Sequence, residues 1–188
     1  IMPKRLSDMA VHFSSEDEHW NTPDNILKPI RRMAGGQIYL DPCSNPTSRV
    51  GSVLAWDEAY NGLRHKWVPH TVGLTYCNPP YGRKIIRWAK KINSETRDRQ
   101  AEIVTVLPAR VDTSWWHNFI KPSATAFCFY RGRLRFYSPA RKKITPAPFP
   151  TVITYHGPRV GLFLEEFASF GWTFPAPPQI QGKQMILL

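Results

Sequence analysis

The 188-residue chain is expected to fold as an α/β domain with a largely parallel central sheet flanked by helices, and three observations point there. Short apolar runs of strand length, at 37–40, 53–57, 72–77, 103–107 and 124–130, alternate with segments of helical spacing. Ile103-Val-Thr-Val-Leu107 is almost uninterrupted in its apolar character, as suits a strand covered on both faces. Two of the runs stop abruptly at a polar residue followed by proline, Asp41-Pro42 and Asn78-Pro79-Pro80, and in an open α/β sheet such turns lie at the carboxyl ends of strands, where ligands bind.

Residues 1 to 18 are polar without a clear period and are expected to form a flexible lead-in, with structure beginning near His19. Thr22 is placed to cap a helix that Pro23 opens. Asp24 complements its dipole, Ile26, Leu27, Ile30 and Met33 form one apolar face, and Gly35-Gly36 ends it. Gln37–Leu40 is the first strand, ending at Asp41, and Val53–Trp56 the second, ending at Asp57. The strand Val72–Cys77 must stop at Asn78, because neither Pro79 nor Pro80 donates a hydrogen bond and both fix φ. Arg83–Ile92 carries apolar residues at 85, 86, 89 and 92, a helical spacing, and 93–100 is a charged surface connection.

Beyond strand 103–107, Asp112 or Thr113 can cap a helix bearing Trp115, Trp116 and Phe119, and Ala124–Tyr130 returns as a strand. Arg131, Arg133 and Arg135 then alternate with Gly132, Leu134 and Phe136 along a further strand. Residues 138–148 include Pro139, Pro146 and Pro148 and are expected to form an exposed loop presenting Arg141, Lys142 and Lys143. Pro150–Tyr155 is a strand, and Val160–Phe170 a helix ended by Gly171. A proline-rich tail follows. One domain is expected over 19–174, with 175–188 as the tail.

A formal charge of +11 and a pI near 9.9 imply attraction to a polyanion, most commonly nucleic acid. The plainer alternative is a solvated basic surface. Hydrophobic content of 42%, with 13% aromatic residues, suits a folded globule. No apolar run approaches the roughly 18 residues of a membrane span, so no membrane association is expected. Ile1–Arg5 lacks the apolar core of a secretory signal, the Ile before Met2 reads as an expression remnant, and a cytoplasmic location is expected. Cys43, Cys77 and Cys128 have no paired zinc spacing and read as reduced thiols, and the six histidines show no metal-ligating pattern.

Asp41 and Asn78, each ending a strand ahead of proline, suggest one shared cleft. Asn-Pro and Pro-Pro are also ordinary turn dipeptides, and it is the repetition of the construction that favours a site. Asp57 or Glu58 lies where an acid about 20 residues beyond the first turn holds ribose hydroxyls in nucleotide-binding α/β folds. The first turn, Asp-Pro-Cys-Ser-Asn-Pro, has no glycine where a Gly-rich turn is usual.

The blocks His19-Trp-Asn-Thr-Pro23, Leu40-Asp-Pro-Cys-Ser44, Asn78-Pro-Pro-Tyr81, Leu107-Pro-Ala-Arg-Val-Asp-Thr-Ser-Trp115, Gly132-Arg-Leu-Arg-Phe136 and Ala147-Pro-Phe-Pro150, in this order, resemble the bacteriophage-type DNA adenine-N6 methyltransferase family. The resemblance covers most of the chain. It implies a Rossmann-like methyltransferase fold, S-adenosyl-L-methionine as cofactor and DNA as partner. It further places Trp20, Thr22 and Pro23 against the cofactor, the plainer alternative being that Trp20 staples the helix. Asp41, whose strand-end carboxylate can accept from the cofactor's α-ammonium, is expected to join Pro42, Cys43, Asp57 and Asn78 in cofactor binding, and catalysis is expected at Asn78, Pro79, Pro80 and Tyr81. Asn61-Gly-Leu63 and Trp67, similar to residues the family carries, either close over the cofactor or pack.

An adenine amino group is a poor nucleophile because its lone pair is delocalised into the ring. Asn78 can accept one amino hydrogen and the Pro79 carbonyl the other, favouring direct transfer without a covalent intermediate. Tyr81 offers a flat face to an extruded base. Arg141, Lys142 and Lys143 are candidates for phosphate contacts, and Arg131, Arg133 and Arg135 for reading bases. Asn-Pro-Pro-Tyr serves equally for N4-cytosine, RNA or glutamine methylation, and a non-catalytic nucleic-acid-binding module is the remaining alternative.

Overall fold

Seven strands in the order β2-β1-β3-β4-β8-β5-β9 form the central sheet of a computed structural model that describes residues 20–138 and 142–177. They are β1 (Leu40–Asp41), β2 (Leu54–Ala55), β3 (Leu74–Cys77), β4 (Glu102–Pro108), β5 (Ala126–Tyr130), β8 (Thr151–His156) and β9 (Gly171–Pro175). The first four pair in parallel, whereas β8 is antiparallel to β4 and β5, and β9 to β5. Five of the seven strands therefore run in one direction, in keeping with the expected sheet, and the insertion of β8 makes it mixed. A separate antiparallel hairpin, β6 (Arg135–Ser138) and β7 (Lys143–Pro146), bridges to the main body where Asn21 pairs with Tyr137.

Side chains alternate across the sheet and divide the core in two. On β4, Val104 and Val106 face α1 (Asp24–Met33) and α4 (Val160–Phe167), where Ile26, Leu27, Ile30, Phe163 and Phe167 are fully buried. Ile103 and Leu107 face α2 (Ile85–Arg99) and the π-helical turn Trp116–Ile120, which runs into the short α3 (Lys121–Ser123). The period of two along β4 thus buries apolar side chains on both faces. Two polar clusters are anchored there on the buried Glu102 and His156. Glu102 accepts from Tyr155 at 2.5 Å and bidentately from Arg159 at 3.0 and 2.8 Å. His156 lies between Ser123 and Thr154, at 3.1 and 2.8 Å, and burial lowers its pKa to about 4.

Several sequence expectations are corrected. Pro23 occupies the cap position of α1 and the helix begins at Asp24, because the Thr22 hydroxyl is engaged elsewhere. Regular pairing in the first strand begins only at Leu40. After a 3-10 turn at Gly82–Lys84, α2 continues to Arg99 through the segment read as a surface connection. The reason is tertiary: buried Glu95 accepts from the Trp67 backbone N–H at 3.0 Å and from Lys91 at 2.5 Å. Thr113 does not cap its helix; its hydroxyl donates back to the Arg110 carbonyl at 2.7 Å.

Residues 131–134 form a turn, permitted by Gly132 at φ 86°, and the strand starts at Arg135. From there the alternation holds, with Leu134 and Phe136 buried and Arg133 and Arg135 exposed. Within the segment read as a loop, 143–146 is an edge strand, where a proline is tolerated. The helix stops at Phe167, and Gly171, read as its terminator, instead opens β9. A Cβ there would stand 2.0 Å from the Phe129 carbonyl oxygen, so the close approach of β5 requires glycine. The lead-in 1–18, His19, Arg141 and the tail from 178 lie outside the described residues.

Candidate active site

Because β1 and β3 are parallel neighbours, Asp41 and Asn78 emerge from the same edge of the sheet. This is also where the strand order reverses, with β2 on one side of β1 and β3 on the other, the position at which open α/β sheets bind ligands. One cavity lies there. Its walls include Asp41, Pro42 and Cys43 from the first strand end, Asn78, Pro79, Pro80 and Tyr81 from the second, and Trp20, Thr22 and Asp57. Of the residues expected to contact cofactor or carry the chemistry, Pro23 is outside these walls, as is Trp67, the residue that was to close over the cofactor or pack.

The Asn78 amide is held at both ends. Its Nδ2 donates to the Trp20 carbonyl at 3.0 Å and to the Thr22 hydroxyl at 3.2 Å, so both amide protons are committed. Thr22 is in turn hydrogen-bonded to the buried Tyr76 hydroxyl. At the other end, Oδ1 accepts from the Tyr81 hydroxyl at 2.6 Å and keeps a second lone pair. The Tyr81 oxygen also lies 3.2 Å from the Val106 carbonyl, an alternative acceptor for its single proton. Its ring meets Phe149 edge to face, with centroids 5.2 Å apart.

Asp41 is 3% exposed and, among the described residues, makes no ion pair. Burial raises its pKa to about 6, against the lowering effect of the Cys43 backbone N–H, the Cys43 thiol and the Ser44 and Ser48 hydroxyls. A buried carboxylate with donors but no cation is electrostatically incomplete. The glycine-free turn after it takes its shape from side chains. Asn45 Oδ1 accepts from the Thr47 backbone at 3.0 Å and Asn45 Nδ2 donates to Asn21 at 3.0 Å, while Asn21 donates to the Thr47 carbonyl at 2.7 Å. Cys43 and Cys77, on adjacent strand ends, bring their sulfurs to 3.6 Å, and burial pushes the Cys43 thiol pKa up.

Asp57 is exposed at the rim, where one of its oxygens accepts from the Tyr60 backbone N–H at 3.0 Å. Asn61, Gly62 and Leu63 form the wall beside it. Gly62 presses against the first turn: a Cβ there would be 2.1 Å from the Pro42 carbonyl oxygen. Trp67 is core, 3% exposed, with its indole N–H donating to the Gly62 carbonyl at 2.9 Å. Two cations not expected in the cavity, Lys84 and Arg87, enter it from the start of α2. The basic run at 83–91 carried their charge in the sequence, though not their direction.

Among the described residues, none of the arginines and lysines expected to meet nucleic acid lines the cavity. Arg131, Arg133, Arg135, Lys142 and Lys143 are exposed. Arg131 follows β5, which runs parallel to β3, so it leaves the sheet at the same edge as Asn78. Arg133 and Arg135 lead into the hairpin, which the Asn21–Tyr137 bridge holds beside the Trp20–Thr22 segment, with backbone bonds of 3.0 and 3.1 Å.

A mixed α/β sheet with an acid and an amide-diproline turn on adjacent strand ends is compatible with a methyltransferase-like fold. A family model described as DNA N-6-adenine-methyltransferase (Dam) matches residues 11–154. The chain belongs to that family, which supports DNA adenine-N6 methyltransferase activity. Neither a curated relative nor a solved structure matches it. Among the described residues no helix is long and apolar enough to cross a membrane.

Proposed function

We propose that the protein transfers a methyl group from S-adenosyl-L-methionine to the N6 amino group of adenine in DNA, acting directly on a base turned out of the duplex, within a Rossmann-like methyltransferase fold. The observation that carries this reading is the pairing in one cavity of a buried carboxylate, Asp41, which makes no ion pair among the described residues, with an amide oxygen, Asn78 Oδ1, whose orientation is imposed from both ends. The residues present suit the cofactor. Asp41 receives its α-ammonium, Trp20, Pro42 and Cys43 flank it, and Asp57 at the rim has an oxygen for ribose hydroxyls. When bound, the cofactor supplies an electrophilic methyl group on a sulfonium.

Asn78 Oδ1 accepts one hydrogen of the target amine through its second lone pair and the Pro79 carbonyl accepts the other. The nitrogen lone pair is thereby withdrawn from the ring and directed into the cavity. Pro79 and Pro80 hold that carbonyl rigidly, and the Tyr81 ring gives the extruded base a surface to stack on. Lys84 and Arg87, with the exposed Arg131, Arg133, Arg135, Lys142 and Lys143, and Arg141 beyond the described residues, supply positive charge for the phosphate backbone.

Incubation with methyl-labelled S-adenosylmethionine and, separately, DNA, RNA and total protein tests the reading. Label is expected in DNA alone, and base-resolved sequencing is expected to place it on adenine N6. Label on cytosine, in RNA or in protein overturns it.

A further inference from the structure

We infer that Trp20–Thr22, backed by Tyr76, is a clamp that decides which end of the Asn78 amide meets the target amine, and that this clamp is why position 78 needs asparagine instead of aspartate. The inference rests on the proposed role of Asn78 against that amine. A backbone carbonyl only accepts hydrogen bonds, so the Trp20 carbonyl, 3.0 Å from Asn78, requires a donor opposite it. That places Nδ2 towards Trp20 and leaves Oδ1 for the base. The Thr22 hydroxyl, 3.2 Å from the same nitrogen, takes the second amide proton and is itself steadied by Tyr76, which is 1% exposed. Turned end for end, the amide would set oxygen against oxygen at Trp20 and offer the target amine a donor where it needs an acceptor.

An aspartate would meet the same obstacle permanently while ionised. A carboxylate oxygen would lie against the Trp20 carbonyl with no proton between them. Only its protonated form can donate there and still present an acceptor to the base. The segment that supplies the clamp is also fixed from outside. Asn21 pairs its backbone with Tyr137 of the hairpin and its side chain with Thr47 and Asn45 of the Asp41 turn. Trp20, Thr22 and Tyr76 are accordingly positioning residues, acting on the amine through Asn78.

The test uses the full chain, an adenine-containing duplex, saturating S-adenosylmethionine and three variants. Thr22→Val, which keeps the shape and removes the hydroxyl, is expected to lower kcat by about tenfold to a hundredfold, the scale of loss for a misplaced reacting group. Cofactor Kd should stay within about threefold, and Thr22→Ser should recover most of the rate. Asn78→Asp is expected to be nearly inactive at pH 8 and, relative to wild type, to gain activity steadily as pH falls and the carboxyl set against the Trp20 carbonyl is protonated. In nuclear magnetic resonance spectra the Asn78 Nδ2 protons should exchange slowly in wild type and rapidly in Thr22→Val, a readout independent of turnover. Equal exchange in the two proteins overturns the clamp, as does an Asn78→Asp rate that parallels wild type with pH. A Thr22→Val defect lying wholly in cofactor Kd also overturns it, by making Thr22 a cofactor contact. A wild-type enzyme that methylates no DNA would instead refute the underlying function, while the exchange measurement still judges the clamp.

Discussion

Cofactor affinity should follow pH in a way that identifies Asp41 as its electrostatic anchor. In the free protein burial holds the Asp41 pKa at about 6, and an ammonium ligand is attracted to the ionised form only. The ionised fraction is about 90% at pH 7, half at pH 6 and about 10% at pH 5, so the association constant should fall roughly tenfold between pH 7 and pH 5. At the alkaline side the ligand's own α-amino group, with an ordinary pKa of about 8, loses its proton and affinity falls again. The expected profile is a bell centred near pH 7. Calorimetry with S-adenosylmethionine in two buffers of different ionisation enthalpy adds a stoichiometric check, because binding at pH 6 should release about half a proton from this carboxyl. Asp41→Asn should abolish the acidic limb and weaken binding by roughly 1.5–3 kcal/mol, the range for a hydrogen bond to a charged group. An affinity that is flat from pH 5 to pH 7, with no proton released at pH 6, would refute Asp41 as the ammonium site.

The same carboxyl should shape stability. Its folded pKa is raised from 3.8 to about 6, so its contribution is lost as pH rises through that window; the folded pKa of His156 is lowered from 6.5 to about 4, so its contribution is lost as pH falls through nearly the same window. Each shift corresponds to about 3 kcal/mol, and the two oppose one another. Asp41→Asn should therefore stabilise the free protein at pH 7 by up to about 3 kcal/mol and expose a steep loss below pH 6.5 that wild type lacks; urea melts showing parallel pH profiles for the two proteins would contradict this. Gly62→Ala, whose new Cβ would lie 2.1 Å from the Pro42 carbonyl oxygen, should cost about 1–3 kcal/mol by overpacking and reduce cofactor affinity, and an unchanged melting temperature and Kd would show that the two loops move apart freely. Replacing Arg133, Arg135, Lys142 and Lys143 together by Gln should flatten the log–log salt dependence of DNA binding by about 0.9 for each phosphate that these side chains neutralise. If that slope is unaltered, the hairpin is only a solvated face and the DNA surface lies towards Lys84 and Arg87.

Much of the sheet was readable because burial on two faces imposes a pattern on residue type. Ile103–Leu107 lies on β4, and the segments read as strands from Ala124 and from Pro150 contain β5 and most of β8, which begin at Ala126 and Thr151; the apolar face of α1 is the buried one. Two of the errors share a physical cause, which is that a distant partner decided the local conformation. Residues 93–99 are polar enough for a loop, yet Glu95 reaches the backbone of Trp67 and keeps the helix intact. Gly171 has the composition of a helix stop, but the carbonyl of Phe129, on a different strand, excludes a side chain there.

The site divides along the same line. Asp41 and Asn78 stood out because the prolines after them end their strands, a covalent constraint written in residue identity. What orients Asn78 left a weaker trace. Trp20 acts on it through a main-chain carbonyl, a group every residue carries, so the tryptophan's identity says nothing of the contact. Thr22 was visible as a hydroxyl ahead of a helix, and the capping rule assigned that hydroxyl to the nearest backbone N–H groups. The structure gives it instead to Tyr76 and Asn78, far along the chain. A cap satisfies a local donor that water could also satisfy, whereas the Tyr76 hydroxyl is buried, where an unmatched polar group would stay unmatched. The hydroxyl therefore goes where desolvation makes it more valuable. The residues proposed to carry the chemistry can be read from their own neighbours in sequence, while the residues that aim them become visible only once the strands are side by side.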